Sequence, residues 1–210
     1  MNTQNIVILI SGRGSNMQAV VEARIEGANV VAVLANKADA AGLAWAEEQG
    51  IATGVVSHKD YPERSDFDAA LMRKIDEYQP DWVVLAGFMR ILTPEFCTHY
   101  AGRLINIHPS LLPAFTGLDT HRRALEAGCR VVGCTVHFVT AEMDCGPIIA
   151  QAAVPVADDD SPETLAARVL AAEHRLLPRA IADCVTGRVR VEGMRVHRGD
   201  NGVLPESLLL

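Results

Sequence analysis

Three polar side chains and one glycine-rich turn carry most of the chemistry this sequence could perform. Asn106 and His108 stand in Asn106-Ile107-His108-Pro109, at the end of an apolar run. Side chains two apart on a strand share a face, so Asn106 and His108 point together while Ile107 packs oppositely. Pro109 biases His108 toward an extended backbone and ends any ladder there. Two adjacent polar groups at a strand's carboxyl end suit the stabilisation of an oxyanion; a plain polar cap on the strand is the other reading. Asp144 lies in Glu142-Met143-Asp144-Cys145-Gly146-Pro147, between two apolar runs. A carboxylate beside an imidazole favours the imidazolium and orients the ring, although spacing alone reads Asp144 as a turn residue.

The glycine-rich turn is Ile10-Ser11-Gly12-Arg13-Gly14-Ser15-Asn16. Glycine allows the tight turn, and free N–H groups at a helix start suit an anion. A dinucleotide fingerprint would place a third glycine where Met17 stands and an acid near Asn36-Lys37. The Lys-Ser/Thr pair of a nucleoside triphosphate loop is missing as well. A phosphate site survives this comparison; so does a plain turn capped by Ser15 or Asn16.

These residues need elements to hold them. Runs rich in Val and Ile recur at 6–10, 30–34, 82–86, 104–107, 131–139 and 148–156. Helical patterns occupy 15–26, 40–49 and 65–78, the last with Ser65 and Asp68 as a capping box. Non-alternating strands separated by helices predict an α/β fold, a doubly wound and mostly parallel sheet with its site at the strands' carboxyl ends. The loop 140–147 is too short for a helical crossover, so the strands it joins are expected to run antiparallel or be loosely connected. Leu112–Pro113 is a candidate cis bond. Ser161-Pro162-Glu163 opens a long helix that Pro178 should kink or divide. A short β segment at 188–192 and a tail ending at 208–210 follow.

The chain of 210 residues fits one domain, 1–210, and 49% hydrophobic with 21% charged residues is a globular balance. A net charge of −7 argues against a nucleic acid partner. Five scattered cysteines without a CxxC pair fit a reducing compartment. The first apolar run is strand length, too short for a signal core or membrane span, so a cytoplasmic location and no membrane partner are expected. Cys129, Cys134 and His137 make a poor metal site because Cys134 and His137 point to opposite faces of a strand. No metal is expected.

Four strings settle the open readings: ISGRGSN at 10–16, LAGFMRIL at 85–92, GRLINIHPSLLP at 102–113 and HFVTAEMDCGPIIAQ at 137–151. In this order they resemble the folate-dependent formyltransferase family, most closely its branch acting on glycinamide ribonucleotide, over essentially the whole chain. The resemblance implies one formyltransferase domain that moves the formyl group of 10-formyltetrahydrofolate to the amine of glycinamide ribonucleotide, in purine biosynthesis. It implies Asn106, His108 and Asp144 as the catalytic trio. Gly14, Ser15 and Asn16 would hold the substrate phosphate, and Glu173 the ribose hydroxyls. Met89, Arg90, Ile91 and Leu92, with Asn106, would meet the folate, and Arg64 would reach its tail. Leu170 departs from relatives that have a glutamine there, which removes a polar contact. His121 would be a polar neighbour or a structural residue. Both substrates are small molecules, and the chain would act as a monomer or homodimer. The alternative, formyltetrahydrofolate hydrolase, would use water as acceptor and carry a regulatory domain ahead of the first strand, where only five residues precede Ile6.

Overall fold

The computed structural model describes residues 3–199. Its strands are β1 (Gln4–Ile10), β2 (Ala28–Ala35), β3 (Ala52–Val55), β4 (Trp82–Leu85), β5 (Leu104–His108), β6 (Val131–Phe138), β7 (Ile148–Pro155), β8 (Val189–Glu192) and β9 (Arg195–Arg198). Its helices are α1 (Ser15–Glu22), α2 (Gly42–Glu48), α3 (Arg64–Asp76), α4 (Pro94–His99), α5 (Thr120–Glu126) and α6 (Pro162–Val185). Seven strands form one sheet in the order β3-β2-β1-β4-β5-β6-β7, and β8 with β9 makes a separate hairpin.

The β1 sequence is apolar at every position from Ile6 to Ile10 because both its faces are covered. Ile6, Ile8 and Ile10 join one core cluster with Met17, Leu43, Val169 and Ile181. Val7 and Leu9 join the other with Phe67, Leu71, Phe96 and Tyr100. Helices therefore lie on both sides of the sheet, as the unalternating runs imply. From β3 to β5 all pairs are parallel. β6 then runs antiparallel to both β5 and β7; of the two outcomes left open for the strands joined by the short 140–147 loop, antiparallel pairing is the one found.

The chain winds outward from β1 to β3 and returns to β4 on the other side of β1. The carboxyl ends of β1 and β4 thus flank the point where winding reverses, the place where an open α/β sheet leaves a crevice. The phosphate-type turn follows β1, and residues 86–92 follow β4.

Several expectations need correction. Helix α3 begins at Arg64 with Glu63 as its N-cap and no side-chain cap, so Ser65 and Asp68 form no capping box. Asp68 is buried instead and accepts the Thr93 N–H at 2.6 Å, which stabilises the start of α4. Pro178 does not divide α6, which runs unbroken for 24 residues. The ring forfeits one backbone bond, but the apolar stripe of Leu177, Ala180, Ile181 and Cys184 stays buried on both sides of it. Ser161 and Thr164 form the capping box that opens this helix. Helix α1 ends at Glu22, earlier than expected, because Arg24 and Gly27 turn the chain with φ of 46° and 76°. The sequence reading omitted β3, α4, α5 and β9. Leu112–Pro113 is cis, and the tail at 208–210 lies outside the described residues.

Candidate active site

Asn106 and His108 sit at the end of β5 on one face, with Ile105 and Ile107 buried in the core on the other. The cluster on the polar face ends at Leu104. Beyond it the loops 109–119 and 139–147 cover β5 and β6 in place of a helix. The first loop is pinned by Thr135, whose hydroxyl donates to the Ser110 carbonyl at 2.7 Å and accepts the Leu112 N–H at 3.0 Å. In the second, a Cβ on Gly146 would lie 1.7 Å from the Phe138 carbonyl oxygen, so only glycine fits where the loop rejoins the sheet.

The two loops bring Asp144 to His108. Asp144 Oδ2 lies 3.5 Å from His108 Nδ1, and both side chains are about nine-tenths buried, at 10% and 8% exposure. The same Oδ2 accepts the Gly117 N–H at 2.8 Å. His108 Nε2 lies 3.0 Å from the Phe115 carbonyl. Both ring nitrogens thus face oxygen acceptors.

His137 is the residue that sequence reasoning missed. It pairs opposite Asn106 in the β5–β6 ladder. Its Nδ1 lies 2.9 Å from the Phe138 carbonyl and its Nε2 3.2 Å from Asn106 Nδ2. Burial holds the His137 pKa below the ordinary value, with the His108 charge acting in the same direction and Asp144 against it. A neutral ring with its proton on Nδ1 accepts one hydrogen of the Asn106 amide and leaves the other for a ligand. The odd separation of Cys134 and His137 holds, since Cys134 faces the α6 side. Burial pushes the Cys134 thiol up to about 12. His121 is also close, its pKa lowered by burial and then by the His108 charge.

A cavity of about 250 Å³ opens past the ends of β1 and β4, lined by Ser11, Gly14, Ser15, Asn16, Lys37, Ala86 and Met89 among others; Leu85, just before Ala86, pairs with Asn106 in the sheet. Gly14 caps α1 at φ +72°, a conformation that favours glycine. Asn16 donates to Glu173 Oε2 at 2.7 Å, and Asn16 Oδ1 is buried without a partner. Gly14, Ser15, Asn16 and Glu173 are therefore one cluster. Lys37, second in the pair that excluded a dinucleotide, supplies a cation to it. Ser11 joins this cluster to the 86–92 segment: its hydroxyl donates to Asn36 at 2.7 Å and accepts the Met89 N–H at 2.8 Å.

The residues assigned to the folate divide. Met89 and Ile91 are 63% and 58% exposed, and Leu118 and Met143 on the neighbouring loops are 70% and 51% exposed. Exposed apolar side chains of this size suit contact with an apolar ligand. Leu92 is buried in the core, and the Arg90 guanidinium lies over the Phe67 ring, 5.6 Å from its centroid. Those two can offer a ligand their backbone more readily than their side chains. Arg64 is exposed at the start of α3, near enough to act on the charge of Asp68. Among the described residues, no group of three or more His, Cys, Asp or Glu could hold a metal ion. No helix among them is long and apolar enough to cross a membrane.

Residues 4–181 match the family described as formyl transferase. The chain is 52% identical over 191 residues to the phosphoribosylglycinamide formyltransferase of Escherichia coli K12, covering 89% of this chain and 90% of that protein. The Haemophilus influenzae protein of the same name is 40% identical over 207 residues, 97% of each chain. Among solved structures, glycinamide ribonucleotide transformylase 1 from Symbiobacterium toebii superposes with a TM-score of 0.90 at 47% identity, over 93% of this chain and 94% of that one.

Proposed function

The chain belongs to the formyl transferase family, and from that premise we propose that it transfers the formyl group of 10-formyltetrahydrofolate to the amine of glycinamide ribonucleotide. The products are formylglycinamide ribonucleotide and tetrahydrofolate, a step of purine biosynthesis. Similarity in both sequence and structure to proteins named for this activity supports the reading and does not favour the hydrolase alternative. The observation that carries it is the convergence of Asn106, His108 and Asp144 beside an anion-type cavity and an apolar rim.

The amine attacks the formyl carbon, a C–N bond forms, and negative charge collects on the former carbonyl oxygen. The free hydrogen of the Asn106 amide and the positive charge of His108 oppose that charge. Asp144 orients the His108 ring and places a negative charge beside it, and His137 fixes the Asn106 amide. Such donors contribute roughly 3–4 kcal/mol each where charge develops. A proton leaves the amine and reaches folate N10, through His108 or water; the oxyanion then re-forms the carbonyl as the bond between the formyl carbon and N10 breaks, releasing tetrahydrofolate. Gly14, Ser15 and Asn16 hold the phosphate with Lys37 adding charge, and Glu173 meets the ribose hydroxyls. Met89 and Ile91 with the backbone of Arg90 and Leu92 wall the pterin, and Arg64 approaches the folate tail. Residues 1–210 act as one catalytic unit.

Release of tetrahydrofolate from 10-formyltetrahydrofolate, followed with and without glycinamide ribonucleotide, tests the proposal. Release that depends on the acceptor is expected. Release without it, or none with both substrates present, would overturn the reading.

A further inference from the structure

The loop that touches both members of the His108–Asp144 pair is itself held from outside. Its Phe115 carbonyl faces His108 Nε2 at 3.0 Å, and its Gly117 N–H donates to Asp144 at 2.8 Å. The same short loop has three residues in the left-handed region: Phe115 at φ 53°, Gly117 at 75° and Asp119 at 56°. Phe115 and Asp119 hold this conformation against the usual preference of L residues, so contacts elsewhere must impose it.

Arg123, on α5, makes those contacts. Its Nη1 donates to the Thr116 carbonyl at 2.6 Å and to the Leu118 carbonyl at 3.1 Å. Its guanidinium lies 5.6 Å from the centre of the Phe115 ring. These partners are two carbonyls and a ring, an arrangement that a planar, multi-donor cation serves best. They bracket the two backbone groups that reach His108 and Asp144.

We infer that Arg123 is a positioning residue for the reaction: it clamps residues 115–118 so that the Phe115 carbonyl and the Gly117 N–H hold His108 and Asp144 in register. The inference rests on the catalytic reading of that pair. Arg123 touches no reacting atom and acts through the loop. With it removed, the loop relaxes from its left-handed turns, and both backbone contacts shift by a fraction of an ångström or more. The phosphate cluster at Gly14, Ser15, Asn16 and Glu173 is built on α1 and α6 and stays as it is.

The test is steady-state kinetics on Arg123→Ala and Arg123→Lys, alone and combined with His108→Ala, with thermal melts of each. Arg123→Ala should lower kcat about tenfold to a hundredfold, the scale of a misplacement up to about 1 Å, with KM for glycinamide ribonucleotide within about twofold. Arg123→Lys, which keeps the charge but not the planar fork, should recover part of the loss. In the His108→Ala background Arg123→Ala should cost little more, because the group it positions is gone. Normal kcat in folded Arg123→Ala, or its full loss repeated in the His108→Ala background, would overturn the role. Normal kcat in His108→Ala alone would instead sink the catalytic reading beneath it.

Discussion

Glu173 shows what the proposed binding site costs the free protein at the level of one side chain. It is 6% exposed, and burial raises its pKa against the opposing hydrogen bond from Asn16. A carboxyl raised on folding favours the native state when protonated, and that contribution is lost as pH rises through the folded value. At neutral pH the buried carboxylate therefore weighs against the fold. Glu173→Gln keeps an acceptor for Asn16 and removes the charge. Thermal melts should show it more stable than the parent at pH 7.5 by about 2–4 °C, roughly 1 kcal/mol at this chain length. The gain should vanish near pH 4, and KM for glycinamide ribonucleotide should rise. Lower stability at pH 7.5 would count against this account. The shared face of Asn106 and His108 was legible from the i, i+2 rule, while Asp144 was singled out only through the motif that carries the resemblance. His137 was not: its place opposite Asn106 depends on the β5–β6 register, across a loop and helix whose geometry no local pattern encodes. Arg123 was hidden for a similar reason, since its partners are backbone carbonyls.

At the level of elements, the glycine-rich turn proposed to hold the phosphate is held by α2 as much as by α1. Gly42, at the start of α2, donates its N–H to the Gly12 carbonyl at 3.1 Å. A Cβ there would stand 2.7 Å from Ile10 Cδ1 and 2.9 Å from the Arg13 carbonyl oxygen. The isoleucine can rotate, but the backbone oxygen moves only with the turn. Gly42→Ala should therefore raise KM for glycinamide ribonucleotide severalfold while kcat changes little. An unchanged KM would show that the turn tolerates the shift. The long strands were readable as unbroken apolar runs, and α6 from the Ser161 start signal. Short α4 and α5 and the four-residue edge strand β3 lay below what periodicity resolves. The apparent capping box at Ser65 failed because Asp68 is drawn into the interior by Thr93, a tertiary demand that outweighs the local motif.

Across the whole molecule, the reversal of winding between β1 and β4 opens the crevice, and antiparallel β6 carries His137 and Thr135 to the end of β5. The sheet thereby lays the anion turn, the apolar rim and the polar trio side by side, with Ser11 linking the first two. Parallel winding was legible from the order of elements; the closeness of Asp144 to His108 was not, because two separate loops create it. If His108 and Asp144 act as one unit, removing both should cost little more than removing one. The direct measurement is kcat for His108→Ala, Asp144→Ala and the double variant, each shown to be folded. Each single change should lower kcat by about a hundredfold or more, and the double variant should resemble the worse single one. Near-normal turnover in either single variant, or losses that multiply in the double, would contradict the account.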